Sequence, residues 1–143
     1  MYRLLSVFVL SILLLVGCQT EKDISSNTPE KALNQINTKD SYAKPSEIYQ
    51  VVEIEKGRVL AVYKGKMDDE EDMYVANIES DNGNWVVTDA TNIGMPSAEK
   101  LNQSLLTGSF EAGYTTDGIS SSEDIRIVKF KDSDFNVWLK VIK

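Results

Sequence analysis

The sequence predicts an α+β fold that is mainly β: a mixed antiparallel sheet of about six or seven strands built from hairpins, with one or two short helices. From residue 48 onward, apolar and polar residues alternate with the period of two that is typical of strands. Short polar turns separate these stretches. Asn82-Gly83 is the strongest of them, because both residue types tolerate a positive φ angle. Helical spacing is confined to short stretches, so hairpins should dominate the fold.

Two short helices are predicted, one before the sheet and one in the second half of the chain. Thr28 suits the N-cap of the first helix and Pro29 its first position, while Glu30 lies near the positive end of the helix dipole. The buried face of this helix would consist of Ala32, Leu33 and Ile36. Ser97 suits the cap of the second helix. That helix would bury Ala98, Leu101 and Leu105.

The alternating pattern predicts the strands of the sheet and the loops between them. Strands are predicted at 48–55, 59–64, 73–79, 85–89, 110–114, 125–131 and 135–142. The acidic residues 65–72 and the polar residues 115–124 are predicted to be the two long loops. Because both faces of the last strand are apolar, we expect this strand to lie centrally in the sheet.

The first 18 residues have the composition of a secretory signal. Arg3 supplies one positive charge, and residues 4–16 are apolar except for Ser6 and Ser11. A membrane-spanning helix needs about 20 apolar residues, so this run is too short to span and fits the apolar core of a signal peptide. We therefore expect the segment to direct export and then to be removed.

The signal ends in Leu15-Val16-Gly17-Cys18, which resembles the lipobox of bacterial lipoproteins. The resemblance implies that a diacylglyceryl group is attached to the sulfur of Cys18, and that the lipoprotein signal peptidase cuts between Gly17 and Cys18. It also implies a lipid anchor at the outer face of the cytoplasmic membrane, or at the outer membrane if the source has two membranes. Each buried CH₂ group contributes about 0.8 kcal/mol, so more than one acyl chain would make release slow.

The resemblance divides the chain into three segments. Residues 1–17 would be the signal peptide, residues 18–27 the lipidated cysteine and a flexible tether, and residues 28–143 a single β-rich extracytoplasmic domain. Residues 28–33, Thr-Pro-Glu-Lys-Ala-Leu, are similar to the segment that follows the tether in some Gram-positive lipoproteins. A domain of this size is long enough to bury an apolar core without a disulfide.

Composition excludes several classes of function. The 22 acidic residues outnumber the 15 basic ones and give a formal net charge of −7, so binding of nucleic acid through its phosphates is not expected. The chain has no histidine, and the lipid would occupy its one cysteine. Histidine bases, cysteine nucleophiles and the usual zinc or copper ligands are therefore excluded, and no cofactor is expected. Carboxylate or serine chemistry stays formally open, but no nucleophile is recognisably paired with a base, so an enzyme is not expected.

One acidic stretch has the spacing of a calcium loop. Asp132 and Asp134, with Asn136, alternate as the first ligands of an EF-hand do. Val137 stands where that loop requires glycine, and Lys143 stands where it requires glutamate. The pattern therefore favours an ordinary hairpin turn over a metal site.

A second acidic stretch covers residues 68–72 and begins with Asp68 and Asp69. Five adjacent carboxylates cannot all face one ion, so a solvated loop is favoured over a divalent-cation site. The same negative charge would attract a basic protein and speed its encounter. This is the basis of an alternative function, in which the domain is an acidic inhibitor or sequestering protein for a basic envelope enzyme.

Six aromatic residues lie in or beside the predicted strands: Tyr49, Tyr63, Tyr74, Trp85, Tyr114 and Trp138. One interpretation is a groove in which these rings stack on a sugar or a peptide. The favoured interpretation is that they fill the core and form cross-strand pairs, as aromatic residues in strands usually do. On that interpretation Trp138 is a fully buried core residue.

These observations favour a non-catalytic binding or interaction module of the cell envelope. The lipid on Cys18 would hold the module at the membrane, and its partner would be an envelope protein or another envelope ligand. The acidic inhibitor described above is the alternative.

Replacing Cys18 with serine tests the anchor. Because the acyl group is attached to the thiol, we expect Cys18→Ser to abolish both lipidation and cleavage before residue 18. Intact mass of the membrane fraction measures both. A wild-type mature chain that begins at another residue and carries no acyl mass would contradict the prediction.

Overall fold

Long strands that follow one another in the sequence make up most of the structure. The computed structural model describes residues 25–36, 41–116, 122 and 124–142. Its elements in chain order are β1 (Ser25–Ser26), α1 (Pro29–Gln35), β2 (Lys44–Glu55), β3 (Arg58–Met67), β4 (Glu70–Asp81), β5 (Asn84–Asn92), a 3₁₀ helix (Ala98–Lys100), β6 (Ser104–Leu106), β7 (Phe110–Thr115), β8 (Ile125–Lys129) and β9 (Asn136–Val141). The prediction of a mainly β protein with short helices is confirmed.

The strands form two sheets, and the prediction of a single sheet is wrong. The first sheet has the order β1-β5-β4-β3-β2 and the second β6-β7-β9-β8, with every neighbouring pair antiparallel. The described residues therefore contain nine strands, where about six or seven were expected. The two additional strands, β1 and β6, are only two and three residues long, which is too short to show an alternating pattern.

Two buried faces on the first sheet explain why a second sheet is needed. In β3, Val59, Ala61 and Tyr63 pack in the core on the side of α1. Leu60 and Val62, which alternate with them, are completely buried in a second core on the opposite side. Strands with two apolar faces have to be covered on both sides, and here α1 covers one side and the second sheet the other.

The short helix is positioned by its cap and its apolar face. Thr28 accepts a hydrogen bond from the backbone N–H of Lys31 through its side-chain oxygen, at 3.2 Å, and Pro29 occupies the first helical position, as predicted. Leu33 is fully buried against the first sheet. Ser26 pairs with Trp85, so the described domain already begins in β1, before the boundary predicted at residue 28.

The second core lies between the two sheets. Its completely buried residues include Phe110 from β7 and Val137 and Leu139 from β9. Strand β9 pairs with β7 on one side and β8 on the other, which confirms the central position predicted for it. This position fixes the backbone of β9 on both sides.

Arg58 ties the two sheets together at one end. Its guanidinium group donates to the side-chain oxygen of Asn77 at 2.9 Å, to Glu55 at 3.3 Å, and to the carbonyl oxygen of Ser109 at 3.3 Å. Asn77 and Glu55 belong to the first sheet, whereas Ser109 directly precedes β7 of the second. Hydrogen bonds from a partly buried charged group are stronger than neutral ones. This contact therefore helps to fix the start of β7 against the first sheet.

The acidic segment 65–72 is not the loop that the sequence predicts. Strand β3 continues to Met67 and β4 begins at Glu70, so only Asp68 and Asp69 form the connection. Both have positive φ angles, of 49° and 69°, which a two-residue hairpin turn requires and which aspartate tolerates better than most residues. Because the segment is highly charged, its sequence pattern does not indicate that it contains the end of β3 and the start of β4.

The second predicted helix is reduced to one 3₁₀ turn, Ala98–Lys100. Asn102 adopts a positive φ of 66°, which breaks the helical path, and Leu105 lies in strand β6. Of the long loop predicted over 115–124, Thr115 is the last residue of β7, and residues 117–121 and 123 lie outside the described residues.

Candidate functional site

Trp138 lies on the outer face of the second sheet. Val137 and Leu139, its neighbours in β9, are completely buried between the sheets, so the side chain between them points to the opposite face. It is only partly buried there. The expectation that Trp138 is a fully buried core residue is therefore wrong, because the apolar residues on that face of β9 line an open surface.

Gly113 of β7 lies directly beneath the indole ring and is paired with Trp138 in the sheet. A Cβ atom at position 113 would lie 2.8 Å from both Cε2 and Cζ2 of Trp138, and 2.5 Å from the carbonyl oxygen of Gln103. Both distances are shorter than atoms tolerate. Glycine is therefore required here so that the ring and a second backbone segment approach the strand closely.

An open cavity of about 540 Å³ adjoins the ring. This volume falls within the range of about 300–1,000 Å³ that is typical of small-molecule sites. We call it the Trp138 cavity, and its lining residues are Leu101, Asn102, Gln103, Ser104, Glu111, Tyr114, Thr115, Thr116, Ile125, Trp138 and Lys140.

Residues 101–104 form one wall of the Trp138 cavity and are held by several contacts. Leu101 forms a parallel bridge with Tyr114 of β7. The side chain of Gln103 donates to the carbonyl oxygen of Glu99 at 2.7 Å, and the hydroxyl of Ser104 bonds to the carboxylate of Glu111 at 2.6 Å. The wall is thus fixed both to the 3₁₀ helix and to β7.

Tyr114 anchors the same wall from the inside. Burial raises the pKa of its hydroxyl above the ordinary value of about 10. The hydroxyl donates a hydrogen bond to the carbonyl oxygen of Gly94. Because Gly94 precedes the 3₁₀ helix and Tyr114 belongs to β7, this bond joins the segment between the sheets to the second sheet.

Charges of both signs face the Trp138 cavity. Glu111 of β7 and Lys140 of β9 are paired in the sheet and share the outer face with Trp138. Asparagine, glutamine, serine and threonine side chains complete the polar part of the lining. The cavity can therefore offer one aromatic surface together with hydrogen-bond donors and acceptors.

A second cavity, of about 460 Å³, lies where the edges of the two sheets approach each other. Its floor includes Tyr49 of β2 and Phe130, whose ring centroids are 4.5 Å apart. Burial, followed by the hydrogen bond and charge of Glu47, raises the pKa of Tyr49 to about 12. Asp132 also lines this cavity, as do the lysines Lys64, Lys129 and Lys131.

The acidic residues singled out in the sequence occupy two different turns. Asp68 and Asp69 form the β3–β4 turn, where Asp69 pairs with Lys66 at 3.1 Å. Asp132 and Asp134 are exposed in the connection between β8 and β9. Within residues 25–36, 41–116, 122 and 124–142, no three histidine, cysteine, aspartate or glutamate side chains are grouped closely enough to hold a metal ion.

The lipidation and cleavage residues, Cys18 and Gly17, lie outside the described residues. In the described part of the chain, no helix combines the length and the apolar character needed to cross a bilayer.

The other aromatic residues behave as the sequence predicts. Tyr63, Tyr74 and Tyr114 are buried, and the rings of Tyr63 and Tyr74 stack with centroids 5.4 Å apart. Tyr49 and Trp85 are partly buried and pack against the two cores. Of these six aromatic residues, Trp138 alone packs against neither core.

Sequence reasoning missed the polar wall of the Trp138 cavity and Gly113. The wall comes from a segment that was interpreted as a helix, so its side chains were assigned to the wrong element. Gly113 carried a usable signal, since an isolated glycine inside an alternating strand often marks a close approach of a ring or backbone.

Models of known protein families, curated proteins and solved structures include no match to this chain.

Adjacent substitutions in β9 test the orientation of Trp138. Leu139→Ala is expected to lower the free energy of unfolding by about 2–5 kcal/mol, because this side chain is completely buried between the sheets. Trp138→Ala should cost less than Leu139→Ala, because the indole packs in neither core and part of it contacts solvent. Chemical denaturation measures both values. A loss for Trp138→Ala as large as that for Leu139→Ala would place the indole in the core.

Proposed function

We propose that the protein is a membrane-anchored extracytoplasmic lipoprotein whose domain is a non-catalytic binding module of the cell envelope. The Trp138 cavity is its binding site. The observation that carries this proposal is the position of Trp138, which lines an open cavity beside polar side chains although its neighbours in β9 fill a core. Aromatic rings in such concave sites supply contact area and hold ligands in a defined orientation.

The rigidity of the surrounding structure supports a binding role. Strand β9 is paired on both sides, Gly113 supports the indole from beneath, and residues 101–104 are bonded to their neighbours. A site that is already formed loses little conformational entropy when a ligand binds. The arrangement therefore favours recognition of a specific small or extended ligand.

The lipid anchor limits where the ligand can be. Six residues, 19–24, separate Cys18 from β1. A chain spans at most about 3.6 Å per residue, so this segment reaches on the order of 20 Å from the lipid. A domain on so short a connection would act on ligands close to the membrane surface.

One observation supports the alternative of an acidic inhibitor. Four consecutive acidic residues at the β3–β4 turn, Asp68, Asp69, Glu70 and Glu71, are all exposed. Negative charge at the tip of a hairpin would attract a basic enzyme, with an effect that salt screens over about 8 Å at physiological ionic strength. Neither the Trp138 cavity nor the second cavity includes a residue of this turn, so we rank this function second.

Retention on cell-envelope material tests the two proposals against each other. The full chain, purified in a detergent that contains no sugar, is mixed with envelope fragments from which the same detergent has extracted the membrane lipids, so that the lipid on Cys18 cannot retain it, and is sedimented. We expect Trp138→Ala to reduce the sedimented fraction at least five-fold. Neutralising Asp68, Asp69, Glu70 and Glu71 together should leave it unchanged.

Leu106→Ala is the matched control for that experiment. Leu106 lies on the same outer face and is 69% exposed, but it does not line the Trp138 cavity. Leu106 is the cross-strand partner of Glu111, but its side chain is not part of the cavity lining, so this variant should be retained as well as the wild type. Retention that survives Trp138→Ala but disappears on neutralising the acidic turn would replace the binding module with the acidic inhibitor.

A further inference from the structure

The indole of Trp138 is held from below by the sheet itself. Cε2 and Cζ2 lie directly above Gly113, while Ala112 and Leu139 fill the core on the other side of the same strands. One surface of the indole therefore rests on the paired backbone of the sheet, and the ring also lines the Trp138 cavity. Such a ring is a stable platform against which another flat apolar surface can pack.

Polar groups surround this platform, and their charges nearly balance. Glu111 and Lys140 are paired across β7 and β9, and the amides of Asn102 and Gln103 contribute both donors and acceptors. One carboxylate beside one ammonium group gives no advantage to a strongly charged ligand. The lining instead suits a neutral molecule that carries many hydrogen-bonding groups.

The backbone around Trp138 is already fully engaged in the sheet. Because β9 is paired with both β7 and β8, the backbone of Trp138 itself has no free edge, and the free edges of this sheet belong to β6 and β8 at its two sides. A peptide that binds by adding a strand needs such an edge. A ligand above Trp138 must therefore be recognised by side chains, which reach outward from the sheet.

We propose that the Trp138 cavity binds a neutral oligosaccharide, with one pyranose ring packed on the indole of Trp138. One face of such a ring presents C–H groups, which pack well on the electron-rich face of an indole, and its rim presents hydroxyl groups. Those hydroxyls would bond to Glu111, Asn102 and Gln103. The inference rests on the proposed binding function and assigns its ligand class.

Fluorescence of Trp138 tests the ligand class directly. The chain has two tryptophans, so Trp85→Phe leaves Trp138 as the single reporter. The full chain in a sugar-free detergent is titrated with cellotriose, with maltotriose, with chitotriose and, as a peptide probe, with an uncharged proline-rich peptide. We expect a saturable change of emission with at least one trisaccharide and none with the peptide. Trp138→Phe, which leaves Trp85 as the reporter, should show no change.

Calorimetry measures binding without using Trp138 fluorescence, so it can test two variants that change other residues of the site. Glu111→Gln keeps the size of the side chain and should weaken trisaccharide binding several-fold. Gly113→Ala should weaken binding at least ten-fold with Trp138 still present, because the added methyl displaces the ring or the Gln103 backbone. Circular dichroism shows whether each variant keeps the β spectrum of the wild type, and Glu111→Gln carries the test if Gly113→Ala does not fold.

The outcomes distinguish the ligand class from the binding function. Binding of all three trisaccharides assigns recognition to the pyranose ring, binding of cellotriose or maltotriose alone adds the linkage to it, and binding of chitotriose alone adds the acetamido group. If no trisaccharide binds while envelope retention still depends on Trp138, the oligosaccharide is wrong and the binding module stands. If retention is also independent of Trp138, both proposals are overturned.

Discussion

The structure depends on one constraint: the first sheet is apolar on both faces. Leu60 and Tyr63 are only three positions apart in β3, yet both are completely buried, and they lie on opposite sides of the sheet. Burying such surfaces contributes about 25 cal/mol for each Å² of apolar area. The helix α1 satisfies one face, and the second sheet satisfies the other. The inner face of the second sheet therefore packs against the first sheet, and its outer face is available for a ligand.

The candidate site follows from that division of faces. Alternation along β9 places Leu139 inward and Trp138 outward, and alternation along β7 places Gly113 beneath the indole. The segment that joins the two sheets then runs alongside β7 on the side opposite β9, where Leu101 bridges to Tyr114, and its polar side chains line the cavity beside the ring. A site formed in this way uses the connection between the sheets both as a link and as a wall.

Local chemistry made part of this fold predictable from the sequence. The Thr28 cap, the Asn82-Gly83 turn and the hairpins on either side of it each depend on residues that are close in sequence. The separation into two sheets could not be inferred, because a period of two marks a strand without naming its partner. Charge also misled the interpretation at Asp68 and Asp69, where a tight turn between two strands was taken for a long loop.

The site was harder to predict than the fold, because its parts come from distant segments. Trp138 was recognised as an aromatic residue on a strand with two apolar faces, but only tertiary packing decides which face is covered. Gln103 and Gly113 meet near the ring only because residues 101–104 lie alongside β7 in the folded chain.

The most direct test of this account is the solvent accessibility of Trp138 without ligand. Acrylamide quenching of the chain with Trp85→Phe measures it. Our account predicts efficient quenching of the folded protein, which falls when an oligosaccharide occupies the cavity. Quenching as weak as that of a fully buried indole, and restored only by unfolding, would contradict it.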